Sequence, residues 1–291
     1  MTFRPYLPWI DRADRVSALR IAAFALIVLP GCWIAFAFLS GRLMPESEKA
    51  ATHLTGEWTL YLLLTALAVS PLRRLMGWSR LIGVRRMIGV AAFAYVAAHF
   101  GLYLLHINLD VAKAVSEIIA RFYLTIGFIT LVGLGALAAT SFDRAIRRMG
   151  RGWRRLHKLA YPLTALGLWH YFLQSKIDVS APALLAGIFA GLMLHRVLDR
   201  PSIRGRLAPE ATTLAVAIAS GFFAAGAEYF WHLFMTGLPA DRVLMSNLDF
   251  SYEVRPPWIA AAIMAAPLAP LLSARVWRIL KPRQAAPQSS A

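Results

Sequence analysis

At 291 residues, 58% of them hydrophobic and with a mean hydropathy of +0.56, the chain is too apolar for an ordinary soluble domain and falls in the membrane class. The net charge of +16 does not indicate nucleic acid, because the basic residues lie between long apolar runs; cytoplasmic loops of a membrane protein give the same total. The single cysteine, Cys32, excludes an intrachain disulfide and a cysteine-ligated metal or iron–sulfur site, and its apolar surroundings predict an inert packing role.

The first apolar run is flanked by Arg12, Arg15 and Arg20. It is too long for the core of a signal peptide and lacks a small-residue cleavage site, so it reads as a retained first span. A span needs about 20 largely apolar residues. Eight stretches qualify: 20–40, 57–73, 86–107, 121–141, 154–173, 181–198, 212–235 and 257–279. The fourth carries Gly127, Gly133 and Gly135, which allow close helix contact. Pro162 removes one backbone hydrogen bond from the fifth and predicts a bend. No short internal repeat stands out, and the tail QAAPQSSA reads as disordered.

Lys and Arg set the orientation. With eight spans, Arg42, Lys49, Lys113, Arg121, Lys176, Arg242 and Arg255 fall on one side and the rest of the 31 on the other. The bias predicts cytoplasmic N- and C-termini. The loops are short, which leaves no room for a soluble nucleotide-binding domain.

Histidine inside a bilayer costs free energy and calls for a reason, and imidazole is a standard axial ligand of haem iron. His99 lies in the third span, and His157 and His170 lie thirteen residues apart in the fifth. At 1.5 Å per residue, His99 is about 20 Å past Arg86 and His170 about 22 Å past Arg155. Two spans that run the same way thus place an imidazole at nearly equal depth in the outer half, as bis-histidine ligation of a b-type haem requires. His157 lies near the inner surface. Its counterpart, fourteen residues before His99, is Arg85, so the inner site has one histidine and an arginine, and the number of haems, one or two, stays open. Arg121 and Lys176 are candidates for the haem propionates, with ordinary loop charge as the alternative. Tyr95, Tyr103, Tyr161 and Tyr171 read first as aromatic packing, and His53, His106, His195 and His232 as interfacial residues. Glu228, an acid inside the seventh span, is either functional or directed to the outer interface.

These residues also carry a resemblance. TGEWTL at Thr55–Leu60, SPLRRL at Ser70–Leu75, RRMIGVAAFAY at Arg85–Tyr95, AHFGLY at Ala98–Tyr103, RFYLTIG at Arg121–Gly127, ATS at Ala139–Ser141, GRGWRRLHKLAY at Gly150–Tyr161 and WHYFLQSK at Trp169–Lys176 follow in order. From about Thr55 to Arg200 the chain resembles the MsrQ (YedZ) family of the ferric-reductase-like transmembrane superfamily. The resemblance implies a six-helix core binding b-type haem, with family ligands falling on His99, His157 and His170. It also implies flavin mononucleotide binding. It implies electron transfer from the quinol pool, or from a cytoplasmic flavin reductase, to a periplasmic molybdopterin-containing methionine sulfoxide reductase subunit (MsrP-like) that repairs oxidised envelope proteins. The family usually has Arg-Pro-Tyr where this chain has Arg121-Phe122-Tyr123.

The expected architecture is an all-α polytopic protein of the inner membrane. Residues 1–50 hold the first span, 51–200 the haem-binding core, 201–281 an extension with two further spans, and 282–291 the tail. The expected role is that of an electron-transfer subunit, with the lipid bilayer as its surroundings and no nucleic acid as partner. A stand-alone ferric reductase and a non-haem transporter or scaffold are the rival readings. Transport is disfavoured by the few ionisable groups in the spans and by the lack of a clear inverted repeat.

Overall fold

The computed structural model describes residues 7–10, 15–251 and 253–280; the expected disordered tail lies outside them. Among the described residues the fold is all helical, with a single isolated bridge between Ile10 and Val16. In chain order the helices are α1 (Ala18–Leu39), α2 (Ser47–Leu75), α3 (Ile82–His106), α4 (Val111–Ala120), α5 (Phe122–Ala139), α6 (Asp143–Met149), α7 (Arg151–Leu156), α8 (Ala160–Ser175), α9 (Ser180–Leu198), α10 (Pro209–Trp231), α11 (Ala240–Ser246), α12 (Pro256–Ala265) and α13 (Leu268–Leu280).

Each expected span is helical, the fifth (154–173) divided between α7 and α8 and the eighth (257–279) between α12 and α13. Six stretches are long and apolar enough to cross a membrane: Ala18–Leu39, Ser79–His106, Phe122–Ala139, Ser180–Leu198, Pro209–Thr236 and Pro256–Trp277. The other two expected spans are α2 and α8, and each falls short for its own reason. At 16 residues, α8 is only about 24 Å long, below the roughly 30 Å of a hydrocarbon core. The 29-residue α2 is long enough but carries Glu48, Lys49, Glu57, Arg73 and Arg74. It is the central helix, packed against α1, α3, α8 and α9, and a helix surrounded by protein needs no apolar surface for lipid. The outer helices show the opposite pattern. Leu26 on α1 is 70% exposed and Phe222 on α10 is 76% exposed, so this multi-pass membrane protein turns large apolar side chains outward to the bilayer. Cys32, expected among packed residues, is exposed on α1.

Local chemistry sets the breaks. The disruption expected at Pro162 takes the form of a 3₁₀ turn, His157–Leu159, between α7 and α8. Pro162 then sits in the first turn of α8, where a missing N–H is tolerated. Asp110 caps α4 by accepting from the Lys113 backbone N–H (2.8 Å). The glycines of α5 permit the close contact expected of them. A Cβ on Gly133 would lie 2.4 Å from Leu163, and one on Gly135 would lie 3.2 Å from Phe93. Small residues also join α9 to the helices beyond residue 200. Ser220 Oγ donates to Gly187 O (2.7 Å), and a Cβ on Gly187 would lie 2.7 Å from Ser220 O.

Candidate functional site

The start of α2, the end of α3, the start of α5 and the end of α8 meet at one end of the bundle. There they enclose a cavity of about 440 Å³, within the range of cofactor sites. His99 and His170 both line it. Their ring centroids are 6.2 Å apart and their planes are nearly perpendicular, at 87°. The equal depth read from the sequence is thus also spatial proximity.

The same device orients both rings. His99 Nδ1 donates to Thr52 O (2.7 Å) and His170 Nδ1 donates to Tyr123 O (2.7 Å). A carbonyl only accepts, so Nδ1 carries the proton and Nε2 keeps its lone pair for a metal. In each case a glycine one turn after the carbonyl makes room. A Cβ on Gly56 would meet His99 Nδ1 at 2.9 Å, and one on Gly127 would meet His170 Cε1 at 2.9 Å.

The two halves share a register. Carbonyl and histidine are 47 residues apart in both. The offset from Thr52 to Tyr123, from Gly56 to Gly127 and from His99 to His170 is 71 residues each time. Thr59, Leu60 and Leu63 recur as Thr130, Leu131 and Leu134 at the same offset. This long repeat, Gly-x-x-Thr-Leu-x-x-Leu, is the signal that a search for short repeats misses.

Arg121 and Lys176 line the cavity, and Lys49 and Lys113, not singled out in the sequence, join them. Arg121 is held by Tyr123 Oη (3.2 Å) and Glu117 (3.5 Å), and Glu117 accepts from Tyr103 Oη (2.9 Å). Lys49 pairs with Glu46 (2.8 Å), and this attraction holds the Glu46 carboxyl below its ordinary value. Among the described residues Lys113 and Lys176 make no ion pair. The Lys176 carbonyl accepts from Trp231 Nε1 (2.8 Å), which ties α10 to the rim. The Phe122 that departs from the family pattern is exposed at the first position of α5, and Arg121 keeps an extended backbone before it.

Of the four tyrosines, Tyr103 and Tyr171 line the cavity. Tyr171 donates to Glu57 (2.7 Å), Tyr95 instead donates to Ile27 O on α1 (2.7 Å), and Tyr161 underlies the Arg196 guanidinium. His53 and His106 also line the cavity. His195 and His232, expected at the interfaces, are buried because α9 and α10 pack against neighbouring helices. Glu228 is buried too, paired with Arg255 at 2.6 Å rather than turned to the interface.

His157 is not among the cavity-lining residues. Its ring stacks on Trp153 with centroids 4.0 Å apart, and its Nε2 lies 3.1 Å from Thr140 Oγ1. That hydroxyl already donates to Ala136 O (2.8 Å), so it accepts from His157, whose Nε2 then carries the proton. The 71-residue offset pairs His157 with Arg86, which is held by Asp143 (2.6 Å).

The His99–His170 site fits a haem. Two imidazoles binding opposite faces of one metal through bonds of about 2 Å have ring centroids roughly 6 Å apart, close to the distance found here. The cationic rim suits its propionates.

Comparison with known proteins gives the family. Residues 52–168 match the family model described as a ferric reductase like transmembrane component. The chain is 38% identical over 195 residues to the protein-methionine-sulfoxide reductase heme-binding subunit MsrQ of Rhodospirillum rubrum, covering 66% of this chain and 93% of that protein. It is 36% identical over 201 residues to the same-named protein of Herminiimonas arsenicoxydans, covering 68% and 89%. To that of Xanthomonas campestris pv. campestris (strain 8004) it is 40% identical over 191 residues, covering 65% and 88%. No solved structure matches the chain significantly. With these relatives matched over nearly their whole length, the chain belongs to the MsrQ family.

Proposed function

We propose that this chain is an electron-transfer subunit that holds one b-type haem between His99 and His170 and serves a protein-methionine-sulfoxide reductase. The observation that carries the reading is the pair of imidazoles with ring centroids 6.2 Å apart in one cavity, each with Nδ1 tied to a helix carbonyl. The names of the relatives, heme-binding subunits of such a reductase, support it.

Bound there, haem supplies a one-electron couple between ferric and ferrous iron. The chain's own residues set the conditions for it. His99 and His170 present Nε2, and the Thr52 and Tyr123 carbonyls fix the tautomer and raise the basicity of each ring. Lys49, Lys113, Arg121 and Lys176 would supply positive charge for the haem propionates, while Leu60, Leu63, Val96 and Leu131 wall off water. The bias of Lys and Arg supports an orientation in which this end of the bundle would lie on the periplasmic side of the inner membrane, with both termini in the cytoplasm. The reductase, a periplasmic molybdopterin-containing subunit, would dock near the haem edge. Electrons come from quinol in the bilayer or from a cytoplasmic flavin reductase.

The test is the reduced-minus-oxidised optical spectrum and haem content of the detergent-purified protein. We expect one b-type haem per chain, lost in His99→Ala and His170→Ala and retained in His157→Ala. A folded wild-type protein without haem refutes the reading, and loss of half the haem in His157→Ala refutes the single site. Flavin analysis of the same preparation tests the flavin mononucleotide that the resemblance implies.

A further inference from the structure

The ten residues of α4 make a helix of only about 15 Å, half of the roughly 30 Å of a hydrocarbon core, so α4 does not cross a bilayer. Its residues divide around the axis. Val111, Val115 and Ile119 recur every fourth position and are 65%, 51% and 77% exposed. At about 100° per residue they cover a stripe of roughly 80°. Lys113 and Glu117 lie on the opposite side, and both line the His99–His170 cavity. Between the two faces, Ala114 is buried against the bundle. Two bonds fix this rotation: Glu117 accepts from Tyr103 Oη (2.9 Å), and Thr125 Oγ1 donates to Ile118 O (2.5 Å). The turn into α4 is strained, with φ 58° at both Asn108 and Leu109, a left-handed conformation that leucine rarely adopts. It leaves Leu109 exposed at the foot of the stripe. The stripe also runs on past the helix. Phe122, Ile129 and Val132 are exposed along α5, at spacings of seven and three that keep them on one face of that span.

We propose that α4 is an interfacial helix, its apolar stripe set into the headgroup–acyl boundary of the leaflet at the cavity end of the bundle, so that the bilayer itself holds this wall of the cavity closed. A short helix with apolar residues on one side and charges on the other lies in the plane of the interface, apolar side toward the acyl chains and charged side toward water. Here that arrangement puts Lys113 and Glu117 at the aqueous mouth of the cavity and the stripe below it. Two observations select lipid over a docking protein. The stripe is continuous with the exposed apolar face of α5, a helix long and apolar enough to cross the membrane. A protein arriving from the water would meet the charged side of α4, which points away from the stripe. The consequence concerns the cavity, because the α4 residues Lys113, Glu117 and Ile118 form part of its lining. A helix anchored along its outer edge by lipid cannot swing away and open the cavity to water. The place of α4 in the membrane stands without the haem; its effect on haem retention rests on the haem-site reading above.

The test is the accessibility of nitroxide spin labels on the full-length protein in phospholipid nanodiscs. Labels are placed singly by Val115→Cys, Ile119→Cys, Ala120→Cys and Val132→Cys after Cys32→Ser removes the exposed native thiol. Oxygen concentrates among acyl chains, and a nickel chelate stays in water. We expect the labels at positions 115 and 119 to favour oxygen over the chelate, as the α5 label at position 132 does, and the label at position 120, on the exposed side away from the stripe, to favour the chelate. Chelate access at position 119 equal to that at position 120 overturns the proposal. So does low access to both reagents at positions 115 and 119, which would mean that a second copy or another protein covers the stripe. The second arm is haem transfer from the nanodisc-embedded holoprotein to excess apomyoglobin. We expect roughly tenfold faster loss in Ile119→Glu, which puts a charge into the boundary, and no change in Ala120→Glu. Equal rates in the two variants overturn the role of the bilayer in closing the cavity. A wild-type protein without haem overturns the haem-site reading, while the spin labels still decide where α4 lies.

Discussion

Gly127→Ala separates the cradle of the site from the stability of the fold. A Cβ at this position would lie 2.9 Å from His170 Cε1, 3.0 Å from Nδ1 and 3.4 Å from Nε2. Van der Waals contact begins near the last of these values, so the ring must move by roughly 0.5 Å, the tolerance within which a functional constellation has to be held. The shift strains the 2.7 Å bond from His170 Nδ1 to Tyr123 O. Weakening such an orienting partner typically costs about 10–100-fold in metal affinity. The backbone effect runs the other way. Replacing a helix-interior glycine with alanine contributes about 1 kcal/mol, which offsets the roughly 1 kcal/mol from a lost hydrogen bond. Thermal stability of the haem-free protein is therefore expected to change little, while haem affinity falls by at least tenfold and the spectrum of bound haem shifts. Haem titration of the stripped protein measures the first effect and a melting curve the second. Gly101→Ala on α3, where a Cβ meets nothing within 4 Å, is the control. Equal haem affinity in Gly127→Ala and Gly101→Ala would refute the argument that the glycine makes room for the ligand.

Two further predictions concern the extension. Arg255→Ala leaves the Glu228 carboxylate, 2.6 Å from the guanidinium and 3% exposed, without its partner in a buried site. We expect a loss of about 3–5 kcal/mol, largely recovered when Glu228→Leu is added, because removing both charges also removes the desolvation penalty; denaturation of both variants in mixed micelles measures it. In Gly187→Ala the new methyl meets Ser220 O at 2.7 Å and Ala224 Cβ at 2.8 Å, neither at the end of a flexible side chain. α9 and α10 must separate, at a cost of about 1–3 kcal/mol, with the haem spectrum unchanged because neither helix supplies a ligand.

Depth was legible in the sequence, and direction around a helix was not. Rise per residue and the charged ends of the spans were enough to put His99 and His170 at one level, since both quantities run along a single axis. Whether a side chain faces a cavity, a neighbour or lipid depends on packing, which hydropathy does not encode. That is why His195 and His232 read as interfacial yet are buried, and why Cys32 reads as packed yet is exposed. The rim cation Lys113 was missed for a related reason. It sits on α4, a short helix set by the Asp110 cap inside what reads as a loop.

The repeat explains why the sequence pattern of the site is asymmetric between its two ends. At the cavity end the elements that seat the two histidines occur twice at the 71-residue offset: carbonyl, glycine, threonine and histidine. Each helix pair, α2 with α3 and α5 with α8, therefore builds one half of a two-sided slot by the same local rule, a ring seated over a glycine and tied to the carbonyl one turn earlier. At the opposite end the same offset pairs His157 with Arg86, whose guanidinium is neutralised by Asp143, while His157 is turned onto Trp153 and Thr140. A ligand pair needs the device on both helix pairs, and only the cavity end has it. The repeat thus supports the proposed single site: where the duplication is kept, two imidazoles lie 6.2 Å apart with Nδ1 tied to a carbonyl, and at the other end, where the offset pairs a histidine with an arginine, the imidazole is hydrogen-bonded within the protein.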